Sequence, residues 1–213
     1  MTVKGSDMDC ALDHLVVRTG DLIQGRSAME SLLGIAMSAR GMHAQMGTHN
    51  HLAALDRDSY LEVIAVDPAA IAPKAPRWFD MDNFSGSTKL SNWVIRCDDL
   101  DYARSLAPPG IGEERAFVRG DYAWRMLVPH NGQLPFDGCY PAIMSWDSKH
   151  PAPALAPQGL SLRGLRITHP QADDLRDALK PFADAMENVR IVQGARAALA
   201  AEITTPSGEI WIT

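Results

Sequence analysis

Cysteine is scarce: Cys10, Cys97 and Cys139 are an odd number at long spacings with no C-x-x-C pair. That excludes a disulfide framework and a cysteine zinc site, so free buried or half-buried thiols are expected. Positive charge is not in excess either. The 20 Lys and Arg residues are scattered and outnumbered by 26 Asp and Glu, for a net charge of −6, which argues against nucleic acid and anionic membrane as partners. No apolar run is long enough to span a bilayer, and Met1 to Cys10 has no charged-then-apolar leader, so the expectation is a cytoplasmic protein. Also missing are G-x-S-x-G, a P-loop, G-x-G-x-x-G after a strand and H-E-x-x-H, which disfavours serine hydrolase, NTPase, dinucleotide-dependent dehydrogenase and zincin chemistry.

The chain does contain 46% hydrophobic residues over 213 positions, enough for a substantial core. Leu12 to Arg18 reads as a strand, broken by Thr19-Gly20-Asp21 before a helix that runs to Leu33 and stops at Gly34. Ala39 to Met46, His49 to Leu55 and Tyr60 to Val66 read as three further strands. The order recurs. Ser91 to Arg96 leads into a helix with Leu100, Ala103 and Leu106 on one face, then strands Glu114 to Arg119, Ala123 to Val128 and Ala142 to Trp146. A third copy opens at Leu162 to Thr168, with a helical face of Leu175, Ala178, Leu179 and Phe182 and strands Val189 to Val192, Ala197 to Ile203 and Glu209 to Thr213. The reading is therefore an α+β chain forming one domain over 1–213, with βαβββ units at about 12–67, 90–147 and 160–213. Helices cover the outer face of curved mixed sheets, and the copies are expected to share one sheet.

Strand alternation selects candidate site residues. If the helix packs on Leu15 and Val17, His14 faces the other side, and Tyr60 and Glu62 fall on that same open face, opposite the aliphatic Leu61, Val63 and Ala65. His49 and His51 join them if Leu52 and Ala54 turn toward the helix. Imidazoles beside a carboxylate suit zinc, manganese, iron or nickel, with Tyr60 able to donate to a ligand oxygen. The plainer alternative is a metal-free polar pocket or hydrogen-bonded structural histidines. Arg125, after Trp124, could meet an acidic ligand or simply face solvent. His43 reads as exposed, and His130, His150 and His169 as surface or capping residues in turns.

Several segments carry a family likeness: Leu12-Asp13-His14-Leu15-Val16-Val17, Met46-Gly47-Thr48-His49-Asn50-His51-Leu52, Tyr60 to Pro68, Pro76-Arg77-Trp78-Phe79, Trp93 to Arg96, Leu134 to Gly138 and Ile167 to Pro170. Together they resemble the glyoxalase-like domain proteins of the vicinal oxygen chelate superfamily. The resemblance implies paired βαβββ modules curled around a cavity, and a divalent metal held by the first and last strands of two modules. It places His14 and Glu62 at the first module's ligand positions, Asn92 and Ser145 at the second's, and Gly164 and Trp211 in the third unit. Only His14 and Glu62 are good ligands for such a metal.

Two functions stand open. One is a metal-dependent isomerase, lyase or dioxygenase acting on a small oxygenated metabolite. There His14 and Glu62 hold the ion, His49 or His51 completes the set, and Glu62 is an alternative general base; Tyr60, Asn92, Arg125, His49 and His51 are the substrate-binding candidates. The other is a metal-free protein that binds or sequesters a small molecule. The third unit leaves open which pair closes the cavity and whether it meets a second copy in a homodimer.

Overall fold

A computed structural model describes residues 8–213; the leader-free reading of the first seven positions lies outside them. The first unit runs β1 (Cys10–Arg18), α1 (Leu22–Leu33), β2 (Gly41–His43), β3 (Thr48–Ala54) and β4 (Tyr60–Val66). The second is β5 (Lys89–Cys97), α2 (Leu100–Leu106), β6 (Glu113–Arg119), β7 (Tyr122–Val128) and β8 (Ala142–Trp146), and the third β9 (Ser161–His169), α3 (Ala172–Leu179), β10 (Val189–Gln193), β11 (Ala198–Thr205) and β12 (Gly208–Ile212).

The two opening units are copies in detail. Asp21 and Asp99 both cap their helices, accepting from Gln24 N and Tyr102 N at 2.9 and 2.8 Å, as the four unpaired amides of a helix start require. In each unit the first strand pairs in parallel with the last, β1 with β4 and β5 with β8. An antiparallel β1–β5 seam then joins them into one eight-stranded mixed sheet, ordered β2-β3-β4-β1-β5-β8-β7-β6. Outward residues of the seam strands, Leu15, Val17, Trp93 and Ile95, are 0% exposed, each contributing roughly 1.5–3 kcal/mol by burial.

The third unit departs from the expected shared sheet. Its strands form a separate four-stranded sheet, ordered β10-β9-β11-β12, in which β9 pairs in parallel with the strand directly after its helix. The unit leans on the seam: residues 180–186 touch β1 and β11 touches β5, Phe182 meets Tyr140 edge-on at 6.5 Å, and Leu90 N donates to Thr213 O at 3.0 Å.

The seam corrects the reading of the thiols. Cys10 and Cys97 are direct cross-strand partners, 4.3 Å apart at Cα, and are joined as a disulfide; Cys139 is the buried free thiol. The odd count concealed a pair separated by 87 positions. Among the described residues no helix is long and apolar enough to cross a membrane.

Two irregularities in the seam matter for the site. The β1–β5 register slips between Leu12 and His14 and again between Val16 and Val17, so Asp13 on one strand and Ser91 on the other are each left without an opposing residue. These β-bulges sit at equivalent places in the two units, directly before His14 and Asn92, and a bulge re-aims its side chain.

Candidate small-molecule site

The concave face of the large sheet holds a narrow cavity. Its first-unit wall carries His14, Tyr60 and Glu62, as alternation required, together with Asn50 and Leu52. Aromatic side chains make much of the rest, Trp78 and Phe79 from the segment after β4, Trp124 from β7 and Trp146 from β8, with Met126, Met144, His43 and Arg119 completing it. Trp124 lies 5.6 Å from both Phe117 and Trp146, and His43 meets Trp78 edge-on at 5.1 Å.

The polar groups form one chain of contacts. The bulge swings Asp13 to the same side as His14, and Asp13 Oδ1 accepts from His14 Nδ1 at 2.7 Å. Its Oδ2 accepts from Trp146 Nε1 at 2.8 Å and His150 Nε2 at 3.0 Å. His14 Nε2 lies 3.6 Å from Glu62 Oε2. Glu62 Oε1 accepts from Asn50 Nδ2 at 2.6 Å, and Asn50 Oδ1 accepts from Arg119 Nη1 at 3.1 Å. The His14 ring is stacked flat on Tyr60, with centroids 4.5 Å apart.

Charge follows from this wiring. Burial alone would lower the His14 pKa, but the bonds and charges of Asp13 and Glu62 raise it to about 9. Burial would raise Glu62, yet His14 brings it to about 2, and Asp13 also falls well below the usual carboxylate range. His43 goes the other way: burial holds it down at about 4, a neutral ring whose Nδ1 donates to Thr48 Oγ1 at 3.0 Å.

One polar atom in this lining stands apart. Trp78 is 3% exposed and its Nε1–H has no partner.

Other expected residues go elsewhere. In the β3–β4 register Leu52 faces Glu62, while His51 faces Val63 and His49 faces Ala65, so both histidines are on the helix-side face and do not meet His14. There His51 bonds Ser38 O at 2.7 Å, and His49 Nδ1 meets Arg40 Nη1 at 3.5 Å with Asp67 3.8 Å away. The cavity is largely apolar, so Leu52 belongs in it and polarity does not mark its wall. Arg125 turns away and pairs with Asp147 and Glu114. Asn92 lies on the concave face but lines a neighbouring cavity. Ser145 pairs with Arg125, on the face away from Trp124 and Trp146, and Gly164 and Trp211 belong to the other sheet. Val16 faces Glu62 and Val94 faces Ala142, so the second-unit counterpart of Glu62 is Ala142 rather than Ser145.

Sequence reading also missed Asp13, His43, Asn50, Trp78 and Arg119. His43 is buried in the wall rather than exposed, and His150 is an Asp13 partner rather than a surface residue. Asp13, Asn50 and Trp78 lay in segments of the family likeness, which marked the segments without assigning those residues a role.

Two βαβββ units sharing one sheet, with a walled cavity on its concave side, are the fold of the vicinal oxygen chelate type. Residues 12–182 match the family described as Glyoxalase-like domain, and the chain belongs to that family. Among curated proteins none is significantly similar. Of solved structures, a hypothetical protein from Staphylococcus aureus is similar in fold, with a TM-score of 0.64, 13% identity and coverage of 89% of this chain and 88% of that one. Methylmalonyl-CoA epimerase from Mycobacterium tuberculosis is a more distant likeness, with a TM-score of 0.42, 17% identity and coverage of 65% and 88%.

The divalent ion associated with this superfamily does not fit the residues present. Beside His14 and Glu62, 3.6 Å apart, the second unit offers Asn92 and Ala142 at the matching positions, so half of the donor set is missing. Among the described residues no group of three or more His, Cys, Asp and Glu is arranged to hold a metal, whereas a first-row ion takes at least three protein ligands.

Proposed function

We propose that this chain binds a small, planar, oxygen-bearing molecule in the aromatic cavity without a metal, its oxygen held by Trp78 Nε1–H. The unpartnered Trp78 donor carries the reading: a buried N–H without an acceptor is costly, and Trp78 belongs to the wall of this cavity. Aromatic walls favour a flat ring or conjugated carbonyl, which stacks at low entropic cost. Arg119, at the end of the polar chain, suits a ligand that also carries negative charge.

A second reading, proton transfer, is favoured by one specific feature, the Asp13–His14–Glu62 line. Asp13 and Glu62 hold the His14 ring as an imidazolium, and Glu62 is the carboxylate beside the cavity able to take a proton from a carbon next to a carbonyl and return it.

The test is a thermal-shift screen in excess chelator with salicylate, phenylpyruvate, catechol and acetophenone. A stabilising probe is expected, weakened roughly tenfold or more in Trp78→Phe, which loses one buried hydrogen bond. Stabilisation seen only with added metal, or unchanged in Trp78→Phe, overturns the proposal. Glu62→Gln should keep binding; hydrogen–deuterium exchange at the α-carbon of phenylpyruvate that disappears in this variant would establish the second reading.

A further inference from the structure

Beyond Phe79, which lines both, lies a second, wider and more polar cavity of about 310 Å³ bounded by Arg18, Ser91 and Asn92. We propose that it is a site for an α-amino carboxylate: the ligand carboxylate pairs with Arg18, and its ammonium is held by Asn92 Oδ1, with Asp80 and Asp137 at the rim. This site is independent of what occupies the first cavity.

The argument comes from the internal repeat. Asp13-His14 and Arg18 in the first unit correspond to Ser91-Asn92 and Arg96 in the second, and the antiparallel seam brings each bulge toward the other unit's arginine. On one side Arg96 lies 3.9 Å from the buried Asp13 carboxylate. On the other, the bulge residue is Ser91, which carries no charge, and the carboxylate that acts on Arg18 is Asp80, beyond ion-pair distance. Arg18 gives Nη1 to the backbone oxygens of Phe79 and Asp80, at 2.5 and 3.3 Å, but forms no ion pair among the described residues, and its Nε is buried without a partner. The guanidinium stacks over Phe84 at 4.8 Å and feels Asp80, but no carboxylate among the described residues stands at ion-pair distance from it, which leaves room for an anion.

The second contact is as specific. Asn92 is 3% exposed; its Nδ2 donates to Gly138 O at 3.4 Å and its Oδ1 has no partner. An amide oxygen only accepts, so the ligand must bring a donor. Because Asp80 and Asp137 line the same cavity, an ammonium is favoured over a hydroxyl. The backbone supports a built site: Phe79, Asp80, Phe136 and Asp137 all have φ between 53° and 56°, a region that side-chain-bearing residues adopt at a cost and that clusters at binding sites.

The test uses the full chain and the proteinogenic L-amino acids one at a time, read by thermal shift and then calorimetry. At least one should bind saturably, and its deaminated acid and decarboxylated amine should each bind roughly tenfold or more weakly. Ser91→Asp places a carboxylate where the ligand's would stand, so this variant should be more heat-stable when unliganded and no longer bind. Arg18→Met should also lose binding; should it fail to fold, Ser91→Asp and the trimmed analogues decide alone. No binding by any amino acid means that the cavity holds only water and overturns the proposal. Equal binding of a trimmed analogue, or undiminished binding by Ser91→Asp, does the same.

Discussion

His14 has a folded-state pKa of about 9 against an ordinary 6.5, so the stability it contributes is fully present below pH 6.5 and is lost as pH rises through 9. Glu62, depressed to about 2 from 4.5, contributes stability above pH 4.5 that is lost as pH falls through 2. His14→Gln should therefore flatten the alkaline limb of the melting-temperature profile between pH 6.5 and 9, and an unchanged limb would contradict the ion pair. Asp13→Ala strands His14 Nδ1, Trp146 Nε1 and His150 Nε2 together; denaturant unfolding should show a loss on the order of 3–5 kcal/mol, as when one partner of a buried ion pair is removed. At this scale alternation made His14, Tyr60 and Glu62 legible. Asp13 was not, because strict alternation sends adjacent side chains to opposite faces and a bulge leaves no mark in one sequence.

At the scale of elements, strand limits and helix caps were readable from Asp21, Gly34 and Asp99, since capping is local chemistry. Register was not. His49 and His51 differ from Asn50 and Leu52 only in parity, and both faces of β3 are buried, so nothing in the segment announces which set enters the cavity. Asn50 also depends on β2: a Cβ on Gly41 would collide with Asn50 Oδ1 and Arg119 Nη1. Gly41→Ala is expected to break the Asn50–Arg119 bond, lower the melting temperature and weaken any first-cavity ligand, with both effects measured in one thermal-shift titration. The Cys10–Cys97 bond ties the ends of β1 and β5 across 87 positions. Cys97→Ser should cost about 2–4 kcal/mol in denaturant unfolding, and addition of a reductant should shift the unmodified chain but not the variant.

Over the whole molecule, repetition was legible and its geometry only partly so. Two units obey one pairing rule and close the cavity between them, whereas the third has the same element order with different pairing, because order in the chain does not specify which strand lies beside which. The family likeness gave the fold and a pair of ligand positions. It did not give the function of that pair, which depends on Asp13, Asn50 and Ala142. The central claim is that the His14–Glu62 pair belongs to a metal-free binding cavity. Its most direct test is calorimetric titration of the best aromatic probe into the full chain, first in excess EDTA and then with zinc, manganese, iron or nickel in turn. The same Kd in every case is the expected result; binding that appears only with a metal and disappears in His14→Ala would contradict the account.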